Sequence, residues 1–491
     1  MKNIMQLPKN AAVLLLAIGA LLLPNACQKD LLDPAPVNSV SELTAFDTPD
    51  RFVSNLNGLY ALLKSGQHYG GRYIVYGDIR GEEFLNETGN GVTGLQTWNH
   101  TVSEASNEVN NLWNAAYATI NACNIYIEQA DLKRAVVNNN TLVDQYIAEA
   151  KFIRALCYHG LLMFYARPYA DGNGSKLGVP LRLRAEKGPG NNDLARSTVA
   201  EVTAQILADL NDAEPKLAAT NGNALLNVTR AHKNTAIALK ARVYMGMQRY
   251  NDVIAEANKI VPAAAPFKSA SGVAHELQAN IKNVFTTPFT TTESILSMPF
   301  TSNNLPGTQN GLGSYYNPGP RGIGDFSLNP TGIIGDTVNF KATDARRTNF
   351  ILVSGSKSYL NKFPLGPEHL DYAPVLRYAE VLLNLAEAEA RVSGVGQRAI
   401  DLLNAVRGRS DASTQFTAAS FATADDLVNA ILRERRLELL GEGFRAFDCM
   451  RLLQPIPGKA NVASILPSVS EYIWQIPSGE RAVNKLIVQN P

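Results

Sequence analysis

The sequence predicts a mostly α protein, in which tetratricopeptide-like helix pairs form a scaffold for a loop-rich ligand-binding subdomain with minor short strands. Three observations carry that prediction. Between Pro374 and Arg451, apolar residues recur at three- and four-residue steps through three successive segments. Ala238, Ile254, Ala257 and Pro262 fall at tetratricopeptide-repeat offsets, and Ala386, Leu402 and Ala405 repeat that spacing. Two long stretches, residues 65–111 and 263–373, are rich in Gly and Asn and sustain no helical period.

A chain of 491 residues allows two or three ordinary domains or one large helical array. Residues 1–26 read as a lipoprotein signal: Lys2 and Lys9 form a cationic start, Ala11 to Leu23 an apolar run too short to span a bilayer, and Ala26 precedes Cys27. Pro24 and Asn25 depart from the usual residues before a lipidated cysteine, so an ordinary secretory signal with an incidental Cys27 is the alternative. Residues 27–45 then form a tether. The formal charge is +1, and losing Lys2 and Lys9 with the signal leaves −1, a balance without an electrostatic footprint for nucleic acid.

Residues 46–262 form an N-terminal helical region. Its first helix begins at Thr48-Pro49-Asp50, with Thr48 as cap, Pro49 in the first turn, and Phe52, Leu56, Leu59 and Leu63 on one face. Residues 65–111 read as a long loop with one strand-like patch. Helices resume with EVNNLWNAAYATINACNIYIEQA and LVDQYIAEAKFIRALCYHGLLMFYARPYAD, which would pair antiparallel. A capping box from Thr198 to Glu201 opens the next helix, and NTAIALKARVYMGMQRYNDVIAEANKIVP supplies a helix pair with small residues at its crossing. Residues 263–373 follow as a loop-rich insert whose Gly, Pro and Asn content forbids regular structure. Cys123, Cys157 and Cys449 lie inside helical patterns and read as buried thiols, with a Cys123–Cys157 bridge as the alternative.

Residues 374–491 close the chain. In PVLRYAEVLLNLAEAEARVSG, Val375, Ala379, Leu382, Leu383, Ala386 and Ala390 share one helical face, with Pro374 at the first helical position. Gly394 and Gly396 turn the chain into AIDLLNAVRGRS, which packs back through Ala399, Leu402, Leu403 and Val406. In LVNAILRERRLELLGEGFRAFDCMRL, Glu434, Arg435, Arg436, Glu438, Glu442, Arg445 and Asp448 interleave with Ile431, Leu432, Leu439 and Phe444. That pattern reads as an ion network holding Arg435 or Arg436 on a partly buried face.

These three segments, with the closing YIWQIPSGERAVNKLIVQN, resemble in order the C-terminal signature of the SusD/RagB outer-membrane lipoproteins of Bacteroidetes. The resemblance implies a protein held at the cell surface by lipid on Cys27. It also implies capture of oligosaccharides for a SusC-like TonB-dependent transporter, with the lipoprotein as an extracellular lid. Peptide capture is the alternative within the family, and a helical-repeat surface scaffold the alternative outside it. No cofactor is implied, and the signature does not fix the ligand residues.

Six scattered histidines and the lack of a metal, phosphate-loop or nucleophile motif give little ground for catalysis. Glu82 and Glu83, in a loop near Asp78, are candidates for a glycosidase pair, with solvated loop charges or turn hydrogen bonds the alternative. Sugar binding needs flat aromatic faces rimmed by amide and guanidinium donors. The two inserts supply Tyr73, Trp98, Asn99, Tyr315, Tyr316 and Arg321 as candidates, with loop packing the competing role for Trp98. Trp113 and Trp474 read as core.

Overall fold

A computed structural model describes residues 45–491 except 189 and 191. The expectations for the signal, for most of the tether and for Cys27 lie outside the described residues.

Helix α1 (Pro49–Leu63) starts as its sequence dictates, with the Thr48 hydroxyl accepting from the Arg51 N–H and Pro49 in the first turn. The stretch expected to be a loop departs from that reading. It holds helix α2 (Arg72–Ile79), strand β1 (Phe84–Asn86) and helix α3 (Leu95–Asn99). All eight residues of α2 are buried. A helix enclosed on every side needs no polar face, so it shows no amphipathic period.

Helices α4 (Asn107–Leu132) and α5 (Asn140–Tyr165) pack antiparallel, as expected. The Tyr165 hydroxyl at the end of α5 donates to the Val109 carbonyl at the start of α4, 2.6 Å away, and Arg154 donates to Asn124 mid-helix at 2.8 Å. Helix α6 (Val199–Lys216) opens on the Thr198–Glu201 capping box. Helices α7 (Lys233–Gly246) and α8 (Tyr250–Ala257) form the first repeat-like pair.

The second insert also holds regular structure: β2 (Ser294–Met298), helix α9 (Leu312–Tyr316), β3 (Phe326–Leu328), β4 (Ile351–Ser354), β5 (Lys357–Leu360) and β6 (Ala373–Arg377). Its turn residues separate short elements rather than abolish them. Pro374 therefore lies in β6, opposite Ser297 of β2, and does not start a helix. A strand tolerates a residue without an N–H where the ladder is short and irregular, and this two-stranded ladder shifts register twice.

Helices α10 (Tyr378–Ser393) and α11 (Gln397–Ser410) form the second pair, and α10 packs on α8. The two pairs are thus adjacent in space although the insert separates them in sequence. The third C-terminal segment is two helices, α12 (Ala424–Glu438) and α13 (Arg445–Arg451), split by a turn at Leu439–Phe444. Gly441 and Gly443 take φ of 82° and 85° there, a left-handed conformation that favours glycine. Cys123, Cys157 and Cys449 are buried free thiols.

That turn meets α2 backbone to backbone. A Cβ on Gly77 would stand 2.3 Å from the Gly443 carbonyl oxygen, closer than a real carbon can approach. Gly77→Ala is expected to cost about 1–3 kcal/mol by overpacking. Urea unfolding would read this as a lower midpoint at unchanged slope. At the same junction the Asp78 carboxylate accepts from the Gly443 N–H at 2.8 Å. Burial raises Asp78 from 3.8 to about 8. The folded state therefore binds this proton more tightly than the unfolded state, and stability falls as pH rises from about 4 to about 8. Asp78→Asn should remove that dependence, its thermal midpoint gaining on the wild type across this window and no further above it.

Candidate functional site

The two inserts meet. Strand β1 of the first pairs antiparallel with β3 of the second, Phe84 opposite Leu328 and Asn86 opposite Phe326, in a sheet of order β1-β3-β5-β4. Trp98 and Tyr316 both pack against Phe84: the indole Nε1 donates to the Phe84 carbonyl at 2.8 Å, and the Tyr316 ring centroid lies 5.0 Å from that of Phe84.

The meeting does not create the aromatic platform expected from the sequence. Trp98 is only 7% exposed, with the Lys459 ammonium 5.6 Å from its ring centroid. Tyr315 and Tyr316 are buried within α9, and Tyr315 donates to the Gln309 carbonyl. Tyr73 lies elsewhere, in α2 against Phe164 and Phe447. A ring whose faces are covered by protein offers none to a sugar, so for Trp98, Tyr315 and Tyr316 the role observed is packing, and Tyr73 is a buried core residue beside an internal cavity. Trp113 and Trp474 are buried, as read from the sequence. Arg321 is half-buried and donates to Asn361 at 3.0 Å.

Asn99 differs. With His100 and Thr101 it lines an open depression of about 440 Å³, whose far wall is Asn461–Ile465 with Val469 and Glu471. Helix α3 ends at His100, which takes a φ of 61° and turns the chain out to the rim. The opposite wall is a tight hairpin bridged at Ile456–Ile465 and Lys459–Val462. Sequence reading missed that hairpin. Gly458 and Asn461 signal a turn, but nothing local places Lys459 beside His100, 359 residues away.

Beneath the depression lie two buried basic side chains with no carboxylate hydrogen-bond partner among the described residues. Lys459 Nζ donates to the Arg80 carbonyl at 3.0 Å, and Arg80 donates to the Tyr472 carbonyl at 3.0 Å. Burial, and then the Arg80 charge, hold Lys459 well below its usual range. Burial likewise lowers Arg80 to about 10. Burial and then Lys459 lower His100 to about 4, so its imidazole is neutral at pH 7, with Nε2 2.8 Å from the Arg80 carbonyl oxygen. The lining offers neutral donors and acceptors at Asn99, Thr101, Asn461 and Ser464, together with the carboxylate of Glu471. Such a surface hydrogen-bonds hydroxyl groups.

Glu82 and Glu83 are not solvated loop charges. Arg436 donates to Glu82 at 2.9 Å and to Glu83 at 2.6 Å, and Arg445 donates to Glu82 at 2.6 Å. These carboxylates tie the first insert to α12 and α13. Among the described residues no cluster of three His, Cys, Asp or Glu side chains could hold a metal ion, and no helix is long and apolar enough to cross a membrane.

Residues 368–491 match the model of the SusD family, and residues 30–245 match a second family model described as starch-binding associating with outer membrane. A crystal structure of a SusD superfamily protein from Bacteroides fragilis is 34% identical, with a TM-score of 0.81 over 90% of this chain and 99% of that one. A laminarin-binding SusD-like protein shares the fold at 22% identity, with a TM-score of 0.71 over 91% of this chain and 100% of its own. SusD-like protein P38 of Formosa agariphila is 23% identical over 97% of this chain and 99% of its own length.

Proposed function

This chain belongs to the SusD family, and on that premise we propose that it captures oligosaccharides outside the cell and delivers them to a SusC-like TonB-dependent transporter. The observation that carries the glycan reading is the open depression lined by Asn99, Thr101, Asn461 and Ser464. Its amides and hydroxyls match the hydroxyl groups of a sugar. The family description, starch-binding associating with outer membrane, and the laminarin-binding neighbour support the same ligand class. In this reading Cys27 carries the lipid that holds the protein at the outer membrane, and the transporter supplies the passage inward.

A glycan and peptide array probed with the full chain tests the ligand class. Asn99→Ala combined with Asn461→Ala should weaken the glycan identified there at least tenfold, with an unchanged unfolding midpoint. Binding as tight as wild type would overturn the site, and a peptide-only signal would overturn the glycan reading. Cys27→Ser should abolish lipid labelling. Purification from mild-detergent membranes should recover a large β-barrel protein with this chain, and recovery of the chain alone would count against delivery.

A further inference from the structure

A second cavity, of about 100 Å³, lies where the N-terminal and C-terminal helices converge. Its walls include Tyr73 of α2, Leu162 and Met163 of α5, Met245 of α7, Phe444 just before α13 and Phe447 within it. The size is of the order of an engineered cavity of about 150 Å³ that stays dry and takes one benzene ring. Met163, Pro168 and Tyr169 are half-buried and form its mouth.

Polar side chains also reach the lining, and most of the charged ones are paired: Arg435 donates to Asp448, and Arg451 to Asp448 and Glu387. Arg242 donates to both Glu380 oxygens, at 2.7 and 2.6 Å, which neutralises its charge. His159 is 6% exposed, lines the cavity, and its buried Nδ1 has no hydrogen-bond partner. A buried polar atom without a partner is destabilising unless something fills the role. Burial, and then the Arg242 charge, lower His159 to about 3, so the imidazole is neutral at pH 7, with one donor and one acceptor nitrogen.

We propose that this cavity is a ligand site for a phenolic ring, the ring held among methionine and aromatic side chains and its hydroxyl hydrogen-bonded to His159. Methionine sulfur favours an aromatic partner over a saturated one. A hydroxyl suits a neutral imidazole, whereas an anion would meet guanidiniums already paired: Arg242 with Glu380, Arg435 with Asp448, Arg451 with Glu387 and Arg167 with Asp171. The ring could come from a free phenol or from a tyrosyl side chain. This site shares no lining residue with the depression around Asn99, and it stands whether or not that depression binds glycans.

Calorimetric titration of the full chain in amphipol, with amphipol alone as blank, tests it with p-cresol, toluene and N-acetyltyrosinamide. p-Cresol should bind at least tenfold more tightly than toluene. Met163→Trp, which fills the mouth with a half-buried side chain, should weaken p-cresol at least tenfold while the unfolding midpoint stays put. His159→Leu should reduce p-cresol to the toluene level and leave toluene unchanged. Where that variant does not fold, Met163→Trp and the p-cresol to toluene ratio decide. N-acetyltyrosinamide binding alongside p-cresol identifies a tyrosyl side chain as the source, and p-cresol binding without it identifies a free phenol. Absence of p-cresol binding, equal binding of toluene, or p-cresol binding untouched by Met163→Trp overturns the proposal.

Discussion

Replacing Arg377 by alanine is expected to destabilise the folded chain by about 3–5 kcal/mol, because it takes one cation from three buried carboxylates and leaves their network short of positive charge. Arg377 ends β6 with its side chain 1% exposed. It donates to Glu442 at 2.6 and 2.8 Å, to Glu293 at 2.6 Å and to Glu438 at 3.0 Å. Arg346 and Arg409 also reach Glu438, and Lys362 reaches Glu442, so strand, insert and α12 share one buried network. Burial acts to raise the Glu438 carboxyl, but Arg409, Arg377 and Arg346 outweigh it and hold the group well below the usual carboxylate range. The folded value is depressed, so this stabilisation is present above the ordinary glutamate value, about 4.3, and is lost as pH falls through the folded one. Asp448 follows the same sign: burial raises it, Arg435 and Arg451 outweigh burial, and the net value is about 2. Urea unfolding at pH 7 and pH 3 measures both effects, and the Arg377→Ala deficit should shrink at the lower pH. Arg249→Ala is the control. Its Asp252 pair is solvent-exposed at 49% and 37%, and an exposed pair contributes about 0.2–1 kcal/mol.

Trp98→Ala is expected to cost about 3–5 kcal/mol, the range for emptying a buried indole site. The indole sits under Lys459, donates to the Phe84 carbonyl, and supports the segment that presents Asn99 and His100 to the depression. Glycan binding should therefore fall together with stability. Trp98→Phe keeps an aromatic ring and loses the Nε1 hydrogen bond, and should cost nearer 1 kcal/mol. Thermal unfolding and binding measured on both variants separate the two roles. If Trp98→Ala keeps its unfolding midpoint and loses only ligand, the ring acts as a stacking face and the packing assignment is wrong.

The helix pairs were legible because their causes are local. The Thr48 and Thr198 caps, the crossings around Ala238 and Ala386, and the Gly394–Gly396 turn all lie within a few residues of the structure they produce. The charge-dense C-terminal segment was legible too, since Glu434, Arg435, Glu438 and Asp448 could be so dense among apolar residues only if they paired. Helix α2 left no such trace, because burial on all sides removes the polar face that makes a period visible. Which insert residues face water depends on packing between distant segments. Trp98, Tyr315 and Tyr316 have the chemistry of a sugar platform, but whether a ring is a platform or a core residue depends on what covers it. Those covers, Lys459 for Trp98 and Phe84 for Tyr316, come from segments far away in the chain. Local residue patterns set the scaffold and the chemistry each insert could offer. Exposure was settled by long-range closure of the chain, because a side chain's accessible area is a property of its neighbours and not of its own residue type.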